Sequence, residues 1–298
     1  MGSAVPLAGM IRHRLGDDFV LITQHDHAQL SGKLAECVGN SSFSPPTPYQ
    51  ETVDGISLHD CGWPLHDERP TLNPQGQPLH VLESPMSVAI PVWGESVRGA
   101  TAIHPYSGLL VSLHVLALSA LAESRDQSAH ERHRDARELF DLNKFQHKQV
   151  EHQQNLRKSL DLRTDLPLRL GLSPRGTGAR EDLLLFGYHL LKAMDRISLD
   201  VCSGEDLFET IEEVYPRPGA DPLTLRLGHP GHFALTVTPW PFNVRSLSFQ
   251  VPARRVKAQK YAGEVEFHRD YFDAPIESIT VSVRDASAEP VGTGAGRQ

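Results

Sequence analysis

The sequence lacks the residues and motifs that mark several large classes of protein. Its three cysteines, Cys37, Cys61 and Cys202, are an odd number and include no CxxC pair. This count argues against a disulfide framework and against a cysteine zinc site. The chain also contains no GxxxxGK[ST] phosphate loop, no GxGxxG after a strand and no GxSxG nucleophile elbow. Nucleotide binding of these kinds and serine catalysis therefore receive no support.

Charge and hydropathy narrow the choice of partners. The formal net charge is −8, with 29 Lys and Arg against 37 Asp and Glu, so a nucleic-acid partner is not expected. The longest apolar run, Leu109 to Ala122, is shorter than a membrane span and contains His114. The first ten residues show no secretory signal. We therefore expect a cytoplasmic protein with no membrane partner, and its oligomeric state stays open.

Hydrophobic periodicity divides the 298 residues into a helical and a strand-rich part. We expect an N-terminal tail at 1–10, a helical domain at 11–204, a β-rich region at 205–285 packed on the helices, and a disordered tail at 286–298. Helices are predicted at 24–38, 49–61, 105–122, 128–160 and 180–202, with a long loop at 64–91. Strands are predicted at 19–22, 223–227, 233–237, 246–251 and 276–283. The expected fold class is α+β, a mainly α-helical bundle followed by a small antiparallel β-sheet.

One histidine and one aspartate stand on apolar helix faces. His27 shares a face with residues three, seven and eleven positions later, which are Leu30, Leu34 and Val38. Asp195 shares a face with three apolar residues, Leu184, Tyr188 and Leu191. A carboxylate on such a stripe is costly unless it is paired or binds a metal. Taken singly, His27 is better explained as a hydrogen-bonded core histidine than as a metal ligand, whereas a salt bridge and a metal site explain Asp195 equally well.

Two further positions extend this pattern. His59 and Asp60 are adjacent at the end of a predicted helix, where neighbouring side chains can converge. His114 lies on the apolar face of another helix, with Leu110, Ala117 and Leu121. Imidazole and carboxylate are both good ligands for Zn, Mn, Fe and Co, which the sequence does not distinguish. A divalent metal ion shared by His27, His59, Asp60, His114 and Asp195 explains several buried polar residues together.

The order of these residues resembles a known superfamily. The stretches QHDHAQLSGKLA, SLHDCGW and AMDRISLDVC are similar to the His, His-Asp and Asp motifs of HD-domain metal-dependent phosphohydrolases. That resemblance implies an HD-like helical bundle and a metal bound by His27, His59, Asp60 and Asp195. More narrowly, the chain from Met10 to Val283 resembles an uncharacterised bacterial family, domain of unknown function 3891. This narrower resemblance rests on the three stretches above, on HPYSGLLVSLH and on the TPWPF turn.

Three functions remain as hypotheses. The leading one is an HD-type hydrolase acting on a small phosphorylated substrate, with Asp60 as general base. Lys33 and Arg196 would neutralise the oxygens of this substrate. One alternative is an HD-type di-iron oxygenase, which needs additional histidines; His114 matches one such position, whereas His80 and His104 lie in no recognisable motif. The other alternative is a non-catalytic binding or signalling protein that contains a metal.

Overall fold

The computed structural model describes residues 9–128, 136–164, 175–204 and 206–287, except the side chains of residues 65, 66 and 123–128. The helices in these ranges are α1 (Gln24–Glu36), α2 (Tyr49–Ser57), α3 (Pro64–Asp67), α4 (Met86–Ile103), α5 (Pro105–Ser128), α6 (Ala136–Ser159), α7 (Ala179–Ser203) and α8 (Glu264–Asp273). The strands are β1 (Ile11–Leu15), β2 (Asp18–Ile22), β3 (Thr210–Val214), β4 (Leu223–Gly231), β5 (Ala234–Thr238), β6 (Ser246–Lys257) and β7 (Ile276–Asp285). Most of the two predicted tails, 1–8 and 288–298, lies outside the described residues, as does 129–135 of the predicted helix 128–160.

A single seven-stranded sheet runs through the molecule. Its strand order is β1-β2-β6-β7-β5-β4-β3, and it curls into a half-barrel. β5 and β7 pair in parallel, whereas the other neighbours are antiparallel. The expectation of a mainly helical, HD-like bundle followed by a small antiparallel sheet was therefore wrong. The sheet is large and mixed, and it contains strands from both ends of the described chain.

The N-terminal hairpin explains part of this error. In β1 the inward positions Ile11 and His13 are fully buried, while Arg12 and Arg14 alternate with them. A histidine at an inward position and two arginines between the inward positions conceal the apolar alternation that marks a strand. The hairpin turns at Gly16, whose φ of 61° suits glycine, and pairs Leu15 with Asp18. This short hairpin adds β1 and β2 to the edge of the sheet beside β6.

The helix predictions had a mixed outcome. The structure confirms the helices predicted near α1, α2, α5 and α7, and Thr23 caps α1 by accepting a hydrogen bond from the backbone N–H of Asp26. The long loop predicted at 64–91 was partly wrong, because it contains α3 and the start of α4. Pro91, inside α4, conceals the helical pattern there. α8 was also missed, between β6 and β7.

Both faces of the sheet are covered near its N-terminal edge. The main core lies between one face and the helices α1, α2, α5 and α7, and it contains Val20 and Ile22 of β2. On the opposite face, α8 packs Phe267 and Tyr271 against Phe19 and Leu21. β2 therefore reads as a continuous apolar run, since alternate residues enter two different cores.

One helix among the described residues is long and apolar enough to be considered as a membrane span. The segment Pro105–Ala122 of α5 has a mean hydropathy of 1.5, and its length would suffice to cross a membrane. However, 67% of this segment is buried inside the protein. Packing within the core accounts for its apolar character, so it is weak evidence for a membrane span. The predicted cytoplasmic location stays a prediction.

Candidate metal centre

Four helical segments bring the predicted site residues together. α1 carries His27, α5 carries His114 and α7 carries Asp195, while His59 and Asp60 lie in the turn after α2. α1 packs against α2 and α7, and α5 packs against the same two helices. The site therefore forms behind the sheet, where these helices meet. All three histidines are buried, and the side chains of Asp60 and Asp195 are 12% and 15% exposed.

The distances at the centre of this cluster suit one shared ion. Oδ1 of Asp195 lies 3.0 Å from Nε2 of His27 and 3.3 Å from Nε2 of His59. The ligand atoms of these three residues all lie within 4.8 Å of one another. Two ligands bound at about 2.1 Å and at a tetrahedral angle stand about 3.4 Å apart. The three side chains can thus hold a metal ion without large rearrangement.

His59 has one ring nitrogen that faces the cluster without a hydrogen-bond partner. Its Nδ1–H donates to the carbonyl oxygen of Ile56 at 2.7 Å. Its Nε2 is buried and makes no acceptable hydrogen bond, although Oδ1 of Asp195 is 3.3 Å away. In neutral His59 the lone pair of Nε2 therefore faces a carboxylate. A proton or a cation placed between these atoms removes that repulsion.

His27 is held in a similar way by Ser198. The Ser198 hydroxyl donates to the carbonyl oxygen of His27 at 2.9 Å, so its oxygen accepts from Nδ1 of His27 at 2.8 Å. This arrangement leaves Nε2 as the nitrogen that faces Asp195. Metal-binding histidines commonly have their other ring nitrogen fixed in this manner. Sequence reasoning missed Ser198, although it lies within the quoted AMDRISLDVC stretch, three residues after Asp195.

Asp60 and His114 lie at the rim of this centre. Oδ2 of Asp60 is 3.5 Å from Nε2 of His59, and its Oδ1 accepts a hydrogen bond from Nε1 of Trp63 at 3.1 Å. Nε2 of His114 is 3.7 Å from Oδ2 of Asp195. The His114 ring also lies edge-on to the His59 ring, with 5.3 Å between centroids. All five predicted ligands therefore share one cluster, and Asp60 and His114 are its outer members.

The charges around His59 favour its protonated form, which places a positive charge where a metal cation could bind. Burial lowers the pKa of His59, but the carboxylates of Asp60 and Asp195 outweigh burial and raise this pKa to about 9. Burial raises the pKa of Asp195, yet the His27 hydrogen bond and the proximity of His59 hold it well below its usual range. Burial also raises the pKa of Asp60. Asp195 thus supplies the fixed negative charge of the cluster.

The two predicted substrate-binding cations occupy different positions. Arg196 follows Asp195 directly, and its guanidinium carbon lies 5.5 Å from the centre of the Phe208 ring. Burial is the main cause that lowers the pKa of His114 to about 4, and the charge of Arg196 contributes to it. Lys33 is exposed on α1, six residues after His27, which turns it about 120° around the helix from that residue. Arg196 is therefore the better placed of the two for the cluster.

Comparison with known proteins identifies a family and nothing narrower. Residues 10–258 match the family described as "Protein of unknown function (DUF3891)". The match covers most of the chain, so the protein belongs to this family. No curated protein and no solved structure matches significantly. The resemblance to HD-domain enzymes is not supported by these comparisons.

Proposed function

We propose that the protein is a metal-dependent hydrolase that acts on a small phosphorylated molecule. The observation that carries the proposal is the buried Nε2 of His59, which faces two carboxylates, with Oδ1 of Asp195 at 3.3 Å and Oδ2 of Asp60 at 3.5 Å. Nε2 of His27 faces the same oxygen of Asp195. One divalent cation can satisfy both imidazoles and the carboxylate together, whereas protons must be supplied separately to each ring. Two imidazoles and a carboxylate are a common ligand set for Zn, Mn, Fe or Co.

The surrounding groups support a site that binds metal in a fixed geometry. The carbonyl of Ile56 and the hydroxyl of Ser198 each accept from the Nδ1 of one histidine, His59 and His27 respectively. Both rings are thereby held with Nε2 directed at Asp195. Ligands that are oriented in advance lose little conformational entropy on binding.

Asp60 is the residue proposed to act as general base. Trp63 holds one of its oxygens, which leaves Oδ2 facing the cluster. Because burial raises its pKa, Asp60 holds a proton more readily than an exposed aspartate does. A bound divalent ion would lower the pKa of a water molecule and polarise a phosphoryl oxygen. Asp60 would take the proton from the attacking water at Oδ2.

The phosphorylated substrate class rests on two arguments. The charge of Arg196 influences His114 of the cluster, and a guanidinium can neutralise an oxyanion. The order His27, His59-Asp60, Asp195 along the sequence is also similar to the order of metal ligands in HD-domain phosphohydrolases, although neither the fold nor the comparisons relate this chain to those enzymes. We propose a single metal ion, because within the described parts of the chain one set of three side chains, His27, His59 and Asp195, has ligand atoms that all lie within 4.8 Å of one another.

Metal analysis and a phosphoester screen together test this proposal. The purified protein is analysed for bound metals, then assayed on phosphomonoesters and phosphodiesters after loading with Mn, Fe, Zn or Co. We expect stoichiometric metal and hydrolysis, both lost in His27→Gln. His25→Gln is the matched control, because His25 is exposed and two residues earlier in α1. Metal binding without hydrolysis of any phosphomonoester or phosphodiester in the screen would reject the phosphohydrolase.

The role of Asp60 needs a separate variant. Asp60→Asn should lower kcat about 10²-fold or more, with kcat measured at saturating metal. Asp67→Asn is the control, since Asp67 accepts backbone hydrogen bonds from Gln24 and His25 at the start of α1. If Asp60→Asn keeps full kcat with metal bound, another group must act as the base.

A further inference from the structure

Three nitrogen-bearing side chains form a stripe beside the candidate metal centre. His189, Lys192 and Arg196 follow one another at intervals of three and four residues on α7. With Asp195 they fall within an arc of about 120° on this helix. This group is termed the α7 basic stripe, and it adjoins the proposed ligand Asp195 through Lys192, which lies about 60° from Asp195 around the helix.

The α7 basic stripe is covered by one carboxylate, that of Glu213 in β3. Oε2 of Glu213 accepts a hydrogen bond from Nζ of Lys192 at 2.8 Å and lies 4.0 Å from Nδ1 of His189. Arg196 also lowers the pKa of Glu213, although the hydrogen bond from Lys192 is the largest cause. A single carboxylate thus already lies against Lys192 and His189 and is influenced by the charge of Arg196.

The backbone that presents Glu213 is unusual. Glu213 has a φ of 60°, in the left-handed region that non-glycine residues seldom adopt. It lies where the pairing of β3 with β4 shifts register between Ile211 and Val214. Strained backbone and irregular strand pairing of this kind concentrate at binding sites.

The side chain of Glu213 is much more exposed to solvent than the two side chains that it contacts. The side chain of Glu213 is 60% exposed, whereas those of His189 and Lys192 are 6% and 19% exposed. His189 lies between the rings of Tyr188 and Tyr215, each 4.9 Å away, and its buried Nδ1 has no hydrogen-bond partner. An anion that displaces the exposed carboxylate would meet nitrogens that are already positioned and partly desolvated.

We infer that the α7 basic stripe is the subsite for the phosphoryl or another oxyanion group of the substrate, with Glu213 occupying it when no anion is bound. The inference rests on the proposed function for the identity of the substrate. The binding of an anion to the stripe can be measured without any metal. Lys192 and Arg196 would bind the anion by charge, and His189 would donate from Nδ1. Glu213 would compete with weakly charged ligands and select those of higher negative charge.

Calorimetric titration of the full-length chain with inorganic pyrophosphate tests this subsite. A chelator is present, so that no binding to a metal contributes. Lys192→Gln should weaken binding about tenfold, because it removes a charge-assisted hydrogen bond. Glu213→Gly should tighten binding, since it removes the competing carboxylate and tolerates the left-handed backbone. Lys257→Gln is the matched control, because Lys257 forms an exposed pair with Asp18 at 2.7 Å on β6.

The outcomes separate the subsite from the metal proposal. Weaker binding in Lys192→Gln, tighter binding in Glu213→Gly and unchanged binding in Lys257→Gln support the subsite. Equal effects of the two lysine substitutions would indicate general surface charge and overturn it. Absence of binding in both the wild type and Glu213→Gly would also overturn it, while metal content and hydrolysis are measured independently. Circular dichroism melts establish that each variant is folded before titration.

Discussion

The Ser198 hydroxyl lies 2.8 Å from Nδ1 of His27 and 2.9 Å from the carbonyl oxygen of the same residue. Since its one proton goes to the carbonyl, the hydroxyl oxygen accepts from the ring, and Nε2 is left facing Asp195. This relationship links α7 to α1 across the candidate metal centre. It also orients a proposed ligand through a residue that does not itself reach the ion.

The first prediction concerns this orientation. Ser198→Ala should lower metal affinity by about 10- to 100-fold without abolishing binding, because His27 remains but its ring is no longer fixed. Competition with a metal-sensitive chelating dye measures the affinity. Ser203→Ala is the control, as Ser203 is another buried α7 serine whose hydroxyl donates to a backbone carbonyl. Equal affinity in the wild type and Ser198→Ala would remove Ser198 from the site.

The second prediction concerns the contact between α1 and α2. A Cβ atom at Gly32 would lie 1.9 Å from Oγ of Ser57, whereas one at Gly94 of α4 would meet no atom within 4 Å. Gly32→Ala should lower the free energy of unfolding by about 1–3 kcal/mol. It should also weaken metal binding, because α1 carries His27 and α2 leads into His59. Gly94→Ala should instead stabilise by about 0.5–1 kcal/mol.

Denaturant titration and metal titration of both glycine variants check this expectation. Adding Ser57→Gly to Gly32→Ala should restore part of the stability and affinity, since the clash is with the Ser57 side chain. An unaltered stability in Gly32→Ala would mean that α1 and α2 are not packed as described.

Features of this structure that depend on residues close in sequence could be predicted, whereas those that depend on distant residues could not. Thr23 and the apolar face after it predict α1 and the inward position of His27, because capping and helical periodicity are local. Asp195 on an apolar stripe likewise predicts a buried partner. β1 was not predicted, because His13 fills an inward position and interrupts the apolar alternation. The parallel pairing of β5 with β7 could not be predicted either, because it depends on contacts between segments distant in sequence.

The surroundings of the site are harder to predict than its proposed ligands. The role of Ser198 becomes visible only when α1 packs beside α7, because nothing in the local sequence distinguishes it from other helical serines. The hydrogen bond to the carbonyl of Ile56 is accepted by the backbone, so no residue type indicates it. The position of Glu213 against Lys192 and His189 of α7 is equally hard to predict, because Glu213 lies where the pairing of β3 with β4 shifts register. Lys33, by contrast, could have been excluded from the sequence alone. It lies six residues after His27, which places it about 120° around α1 from that residue.

The third prediction is a pH dependence of stability that arises outside the metal centre. Burial, with a contribution from the charge of Arg12, lowers the pKa of His80 to about 4 from the ordinary value of 6.5. Between these two values the unfolded chain binds more protons than the folded one. The contribution of neutral His80 is therefore fully present above pH 6.5 and is lost as the pH falls towards 4.

His80→Asn isolates this contribution. Nδ1 of His80 caps the short helical turn Val81–Glu83 by accepting from the N–H of Leu82, and asparagine caps equally well. The variant should therefore lose less stability than the wild type between pH 6.5 and 4, by on the order of 2–3 kcal/mol. Urea unfolding at several pH values measures the difference. Parallel pH profiles for the two proteins would contradict the burial of a neutral His80.

The metal content of Asp195→Asn tests the central claim most directly. Asparagine keeps the size of the side chain but removes the charge that faces His27, His59 and His114. Elemental analysis is made alongside Asp182→Asn, a carboxylate at the start of α7 that accepts from the N–H of Gly176. Chelator should lower the melting temperature of the wild type and of Asp182→Asn, because metal that binds the folded state stabilises it.

For Asp195→Asn, we predict that metal content falls sharply and that chelator scarcely alters the melting temperature. Full metal occupancy in Asp195→Asn, equal to that of the wild type and Asp182→Asn, would contradict a metal centre built on Asp195.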